Sequence, residues 1–243
     1  MKKIRRKLIR WGIGFLIVLG LFFYGIKLYF THVHPIKPQL EAKVAEVEKA
    51  LNVDHPLKND QIPEMYKKAV IATEDRRFAW DPGIDPIGIL RSVQVDLTKH
   101  QLVQGGSTIT QQLVDNTFLK RSKSFDYKLK QSLYAIGIYD TVSKTKVFTM
   151  YTNIIYFGHG AYGLYNASKT YFDKTPDQLN AGELALLAGI PNSPNNYDPF
   201  KNLKLSIKRQ KVVVMNMVEM GVITQEEAQT ILNLPLRFAS NKK

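Results

Sequence analysis

The chain has 243 residues, 44% of them apolar, no cysteine and a formal net charge of +13. That size and apolar share place it among globular proteins with a sizeable core, and the missing cysteines exclude disulfides and thiolate metal sites. Six of the first ten residues, MKKIRRKLIR, are Lys or Arg with no acid among them, so the basic balance says little about the folded body.

Residues 1–7 read as a cytoplasmic basic tail. From Trp11 to Ile26 no side chain is charged or strongly polar, and a helix over 8–30 would reach about 34 Å, enough for a hydrocarbon core of about 30 Å. Arg10 and Lys27 can snorkel from its ends. The following KLYFTHVHP offers no small-x-small cleavage site, so the prediction is an uncleaved, single-pass anchor in the cell membrane. Its basic flank puts the N-terminus in the cytoplasm and everything beyond about residue 31 on the outer face. Anionic lipid headgroups account for that flank, and nucleic acid is not expected as a partner. His32 and His34 read as a solvated juxtamembrane pair rather than metal ligands.

Residues 31–60 form a membrane-proximal stalk. Within it Gln39 to Leu51 is an amphipathic helix with Leu40, Val44, Val47 and Leu51 on one stripe, closed by the turn-rich NVDHPLKND. Residues 61–243 show no long alternating strand pattern but a succession of helical segments: 63–73, 86–98, 108–119, 125–142, 144–152, 161–171, 177–188, 203–220 and 224–232. The expected class is mainly α, in one domain. Gly and Pro gather at 81–86, 105–106, 158–163 and 191–199, the loops where a site could be built.

Two stretches stand out. In GGSTITQQLVDN, Gly105 to Asn116, Thr108 followed by Gln111 fits a capping box that starts a helix. The helix then places Gln111 and Asp115 on one face, and Ile109, Leu113 and Thr117 on a more buried one. Capping explains Thr108 and Gln111; a helix start that grips an anion would also explain Gln112 and the glycines. The residues leave both readings open. In ATEDRRFAWDPGID, Ala72 to Asp85, Glu74 and Asp75 either pair with Arg76 and Arg77 on a solvated surface, or supply a general base for a substrate hydroxyl.

The order EDxxF…PGID, GGSTITQQL…N, SF…KLK, a region ending YxN with NIIYFGHGAYGLYNASKTYF, and ELALLAGIPNSPNNYDP resembles the family 51 peptidoglycan glycosyltransferases, from about Ile62 to Met220. One anchor with one such domain resembles the monofunctional type. The resemblance implies a lysozyme-like, two-lobed helical fold with a cleft near the membrane. It implies polymerisation of lipid II, in which the 4-hydroxyl of an N-acetylglucosamine attacks the anomeric carbon of the donor N-acetylmuramic acid. Undecaprenyl diphosphate leaves and the configuration inverts. By the same resemblance Glu74 takes the base role, with Asp75 and Phe78 shaping its loop. Gly106, Ser107, Thr108, Gln111 and Gln112 would line the donor region, with Arg91, Lys123 and Lys128 as cations. The implied partners are lipid II, the nascent glycan strand, the membrane and penicillin-binding transpeptidases; a divalent metal, Mg or Mn, is expected mainly with the substrate diphosphate.

Four positions depart from that pattern. Gln131 stands where the resemblance expects the second acid, Asp115 where it expects a lysine near the diphosphate, Asp81 where it expects a histidine, and Thr149 where it expects a glutamate. Losing a preorganised electrostatic partner typically costs a factor of about 10² to 10³ in rate. Two expectations follow: Asp115 and Asp81 supply a metal-binding carboxylate in place of Gln131, or the chain has kept fold and substrate binding and acts as a regulatory partner in cell-wall synthesis.

Overall fold

The structure, a computed structural model, describes residues 11, 14, 17–18, 20–51, 53, 55–88, 106–119, 122 and 124–240. Part of the expected anchor over 8–30, most of the helix expected over 86–98, and Arg91 and Lys123 lie outside them. Among the described residues no helix is long and apolar enough to cross a membrane. Residues 20–28 are helical and run into a π-helical turn, Tyr29–Val33.

The helices that follow are α1 (Ile36–Ala50), α2 (Glu64–Glu74), α3 (Ile109–Thr117), α4 (Phe125–Thr141) and α5 (Lys144–Ile154). Beyond them come α6 (Gly163–Phe172), α7 (Ala181–Gly189), α8 (Pro199–Glu219) and α9 (Gln225–Asn233). Side chains start most of them: Ser124, Ser143, Asn180 and Thr224 each accept the backbone N–H three residues on, satisfying donors a helix start would otherwise leave bare. The mainly α expectation holds, with differences at boundaries. The helix expected over 177–188 divides into a 3-10 turn, Pro176–Gln178, and α7, because Asn180 and Glu183 form a capping box that opens a new helix. α8 is kinked at Asn202 (φ −140°, ψ 62°): a short first turn, capped by Asp198 with Pro199 at its first position, leads into the helix expected from 203. α6 starts at Gly163 because the chain before it folds back on itself, pairing Tyr156 with Tyr162.

Two groups of helices result. α2, α7 and α8 pack on one another with α9 against α7 and α8, while α3 packs on α4 and α5 beneath α1. α6 touches both α5 and α7. The sequence AGELALLAG of α7 is buried from Gly182 to Gly189, as a helix apolar on all sides must be. Its lone acid, Glu183, is fully buried and takes Lys174 at 2.7 Å and the Asn180 N–H at 3.0 Å. On the other group, Phe30 is 5% exposed and lies against Gly137 of α4, where an added Cβ would fall 2.4 Å from the ring. The ring also meets Tyr134, 5.7 Å between centroids, and Tyr134 stacks on Phe118 at 5.0 Å, just past α3.

Candidate active site

Glu74 ends α2 at the seam between the two groups, with its side chain 9% exposed. Gln112 of α3 donates its Nε2 to Oε2 at 2.9 Å, and Arg209 of α8 donates Nη2 to Oε1 at 3.3 Å. Tyr151 of α5 donates to Gln112 Oε1 at 3.4 Å, which fixes which end of the amide faces the acid. Three helices therefore hold one carboxylate. Burial pushes the Glu74 carboxyl above its ordinary range, and the Gln112 and Arg209 contacts only partly oppose it. Tyr66 and Tyr151 flank it as neutral phenols, both raised mainly by burial and then by the acid's charge.

The start of α3 anchors the rest. Thr108 accepts the Gln111 N–H, Gln111 returns its side-chain oxygen to the Thr108 N–H at 3.0 Å, and Thr108 Oγ1 donates to the Gly83 carbonyl at 2.7 Å. The Ile109 N–H donates to Asp75 Oδ2 at 3.0 Å. Gly83, at φ +84°, runs so close to α4 that a Cβ would lie 2.2 Å from the Ala135 carbonyl oxygen, which requires glycine in the turn. Asp81 accepts the Gly83 N–H at 2.7 Å and Lys144 Nζ at 3.0 Å, while Lys144 also bonds the Asp81 carbonyl at 2.8 Å and sits over the Phe78 and Tyr139 rings. Burial first, and the Asp81 charge second, push Asp75 up to about 7. Burial likewise raises Asp81, against the pull of Lys144 and the Gly83 N–H.

Beyond Gln112 on α3 lies a second network. Gln131 of α4 is fully buried; its Nε2 donates to Asp115 Oδ1 at 2.6 Å, and its Oε1 accepts Lys128 Nζ at 2.9 Å and Gln111 Nε2 at 3.4 Å. Tyr127 donates a short hydrogen bond to the same Asp115 oxygen. Lys128 Nζ reaches Ser107 Oγ at 3.4 Å. A cation and a hydroxyl thus meet at the exposed edge of the network, chemistry suited to phosphate oxygens.

Several sequence expectations need correction. Thr108 and Gln111 are 1% and 4% exposed and engaged with the protein itself, so they position the site rather than line it; Ser107 and Gln112 are only partly buried, and Gly106 is exposed. Asp75 and Phe78 are also buried, the first holding α3 and the second packing on Phe148 at 6.0 Å. The local pairing of Glu74 and Asp75 with the neighbouring arginines is replaced by longer-range partners: Arg76 with Glu219 at 2.8 Å, and Arg77 with Asp85 through Nε at 2.7 Å. Asp81 and Asp115 have separate partners within the fold, Asp81 with Lys144 and Asp115 with Gln131 and Tyr127. Asp81 is filled by Lys144, and among the described residues no group of three or more His, Cys, Asp or Glu could hold a metal. Thr149 donates to the Thr145 carbonyl of its own helix at 2.9 Å.

Sequence reasoning passed over Arg209, Tyr151, Lys144 and Tyr127. Arg209 carried a faint signal, since residues 199–218 hold several basic residues and no acid. Tyr151 and Asn153 belong to the YxN block, and Asn153 clamps the Leu57 backbone from both sides, at 2.9 and 3.0 Å.

Residues 40–218 match the family model described as Transglycosylase. The chain is 42% identical over 184 residues to penicillin-binding protein 1A of Aquifex aeolicus, covering 76% of this chain and 25% of that one. It is 41% identical over 172 residues to penicillin-binding protein 1A of Escherichia coli, covering 71% and 20%. The chain thus matches a quarter or less of those longer relatives. A Cupriavidus necator protein whose name assigns it provisionally as a transglycosylase is 40% identical over 178 residues, 73% of this chain and 77% of that one. A crystal structure of penicillin-binding protein 1A from Haemophilus influenzae aligns at TM-score 0.45 and 20% identity, over 76% of this chain and 18% of that one, too loosely to carry an argument. With the family match spanning Glu74, the α3 start and Arg209, the chain belongs to the transglycosylase family, the family 51 glycosyltransferases.

Proposed function

We propose that the protein is a peptidoglycan glycosyltransferase that polymerises lipid II, with Glu74 as general base, working at the outer face of the cell membrane from a single N-terminal anchor. The observation that carries this reading is the grip on Glu74. A carboxylate 9% exposed, bonded through both oxygens by Gln112 and Arg209, is fixed in direction, and burial has raised its proton affinity. An acid so placed takes a proton more readily than an ordinary glutamate.

The acceptor 4-hydroxyl hydrogen-bonds to Glu74 and gives up its proton as its oxygen bonds the anomeric carbon of the donor. The bond from that carbon to the diphosphate breaks on the opposite face, the electron pair leaves with undecaprenyl diphosphate, and the configuration inverts. Lys128 and Ser107 take the diphosphate oxygens as charge builds on them. The relatives' names support a role in the cell wall beside penicillin-binding proteins.

Labelled lipid II, incubated with the full chain in lipid or detergent with and without magnesium or manganese, tests the reading against a Glu74→Gln variant. Polymer from the wild type and a loss of about 10³-fold or more in the variant are expected, as for removal of a general base. Equal polymer from both would remove Glu74 from the base role, and bound lipid II with no polymer from either would favour a regulatory protein that has kept only binding.

A further inference from the structure

An inverting transfer between sugars passes through a positively charged, oxocarbenium-like centre, and enzymes that work on glycosidic bonds commonly set a second carboxylate across from the first to face it. Among the acids near Glu74, three are already committed. Asp75 is 4% exposed and holds the Ile109 N–H. Asp81 is 1% exposed and neutralised by Lys144. Asp85 is paired with Arg77 through both of its oxygens. Asp115 differs from all three. It is only partly buried, it accepts on Oδ1 from the neutral donors Gln131 and Tyr127, and among the described residues no Lys, Arg or His lies within ion-pair distance. Its second oxygen, Oδ2, takes neither of those bonds.

Its place on α3 is also the right one. Gln112, which holds Glu74, and Asp115 are three residues apart, so they share a face of the helix with a rise of about 4.5 Å between them. The proton acceptor and this carboxylate are thereby set on one side of one helix, a turn apart.

Gln131 explains how the acid is held there. A glutamine can donate to one partner while accepting from another, and Gln131 does both, giving its N–H to Asp115 at 2.6 Å and taking Lys128 at 2.9 Å. A glutamate at 131 could not donate, and would bring two carboxylates within hydrogen-bond distance, which cannot both ionise cheaply. The amide at 131 and the acid at 115 are therefore a matched pair. We propose that Asp115 is the second carboxylate of the reaction, supplied by α3 instead of α4, and that Gln131 and Tyr127 are the residues that position it.

The proposal rests on the glycosyltransferase reading, and one experiment separates the two. Lipid II polymerisation and thermal midpoints are measured for the wild type, Asp115→Asn, Gln131→Glu and the double variant Asp115→Lys/Gln131→Glu, the midpoints at pH 5 and pH 8. Asp115→Asn is expected to lower kcat about 10²- to 10³-fold with KM little changed, the size of effect seen when one preorganised electrostatic partner is lost. Gln131→Glu is expected to lower kcat as well, and to melt earlier at pH 8 than at pH 5, because the added carboxyl must ionise beside Asp115. The double variant replaces that repulsion by an ion pair and should recover its midpoint at pH 8. Polymer from Asp115→Asn within threefold of wild type, or a Gln131→Glu variant with unchanged midpoint at both pH values, would overturn the proposal while leaving the base assignment standing. No polymer from the wild type would overturn both.

Discussion

At the scale of single residues, the site is a problem of where to put buried acid. Glu74 and Asp75 are adjacent in sequence but face different partners, the first toward Gln112 and Arg209, the second toward the α3 backbone. Asp75 is raised to about 7 by burial and by Asp81, while the same group in an unfolded chain titrates near 3.8. Below 3.8 both states hold the proton and Asp75 costs nothing. As the pH climbs from 3.8 to about 7 the unfolded chain ionises and the folded one does not, so stability falls over that window and levels off above it. A shift of this size corresponds to a penalty on the order of 4 kcal/mol at most. Asp75→Asn keeps an acceptor for the Ile109 N–H and cannot ionise. Its urea midpoint should therefore rise relative to wild type between about pH 4 and pH 8, and a wild-type slope preserved in the variant would assign the titration to another group.

Chemistry at this scale is only partly legible in the sequence. The Thr108 and Gln111 capping box is spelled by spacing alone, and it forms as spelled. The partner of Glu74 is not legible, because Arg209 lies 135 residues away and nothing in a helical stretch of lysines says which basic residue turns inward. The same holds for Lys144, which reaches back 63 residues to Asp81. Pairings between distant helices depend on how those helices pack, and packing is carried by the whole core rather than by any one segment.

At the scale of elements, α3 is the member on which the site depends most. Its start bonds the Glu74 loop through Asp75 and Gly83, the end of its first turn supplies Gln112, and its second turn supplies Asp115. Removing Thr108 Oγ1 would strip both the cap and the bond to the Gly83 carbonyl. A cap alone is worth about 1 kcal/mol and a net buried hydrogen bond about the same, so Thr108→Ala should lose about 2 kcal/mol in chemical denaturation. Thr108→Ser, which keeps the hydroxyl, should lose less than half of that. Helix starts are legible because capping side chains are read one turn at a time. The split of α7 from the 3-10 turn before it is not, since apolar periodicity runs on across Asn180 and only the cap interrupts it.

At the scale of the whole molecule, two helix groups meet at Glu74, with α6 and the site residues themselves bridging them. Mainly helical architecture can be read from periodicity; that the polar run STITQQ is largely buried cannot, because polar residues ordinarily report surface. Here the side chains of Thr108, Gln111 and Gln112 find partners within the fold, while the Thr110 hydroxyl is buried without one.

Phe30 has a practical bearing on how the protein can be shortened. It stands ahead of α1, yet it fills the notch over Gly137 and begins a row of rings through Tyr134 to Phe118, bracing the two helices that carry Asp115 and Gln131. Phe30→Ala would open a cavity costing about 3 to 5 kcal/mol, measurable as a lower urea midpoint. A version trimmed to begin at α1 would lose that ring entirely. The trimming point that preserves the site lies before residue 30, and the few extra apolar residues it carries are the cost of an intact helix pair beneath the site.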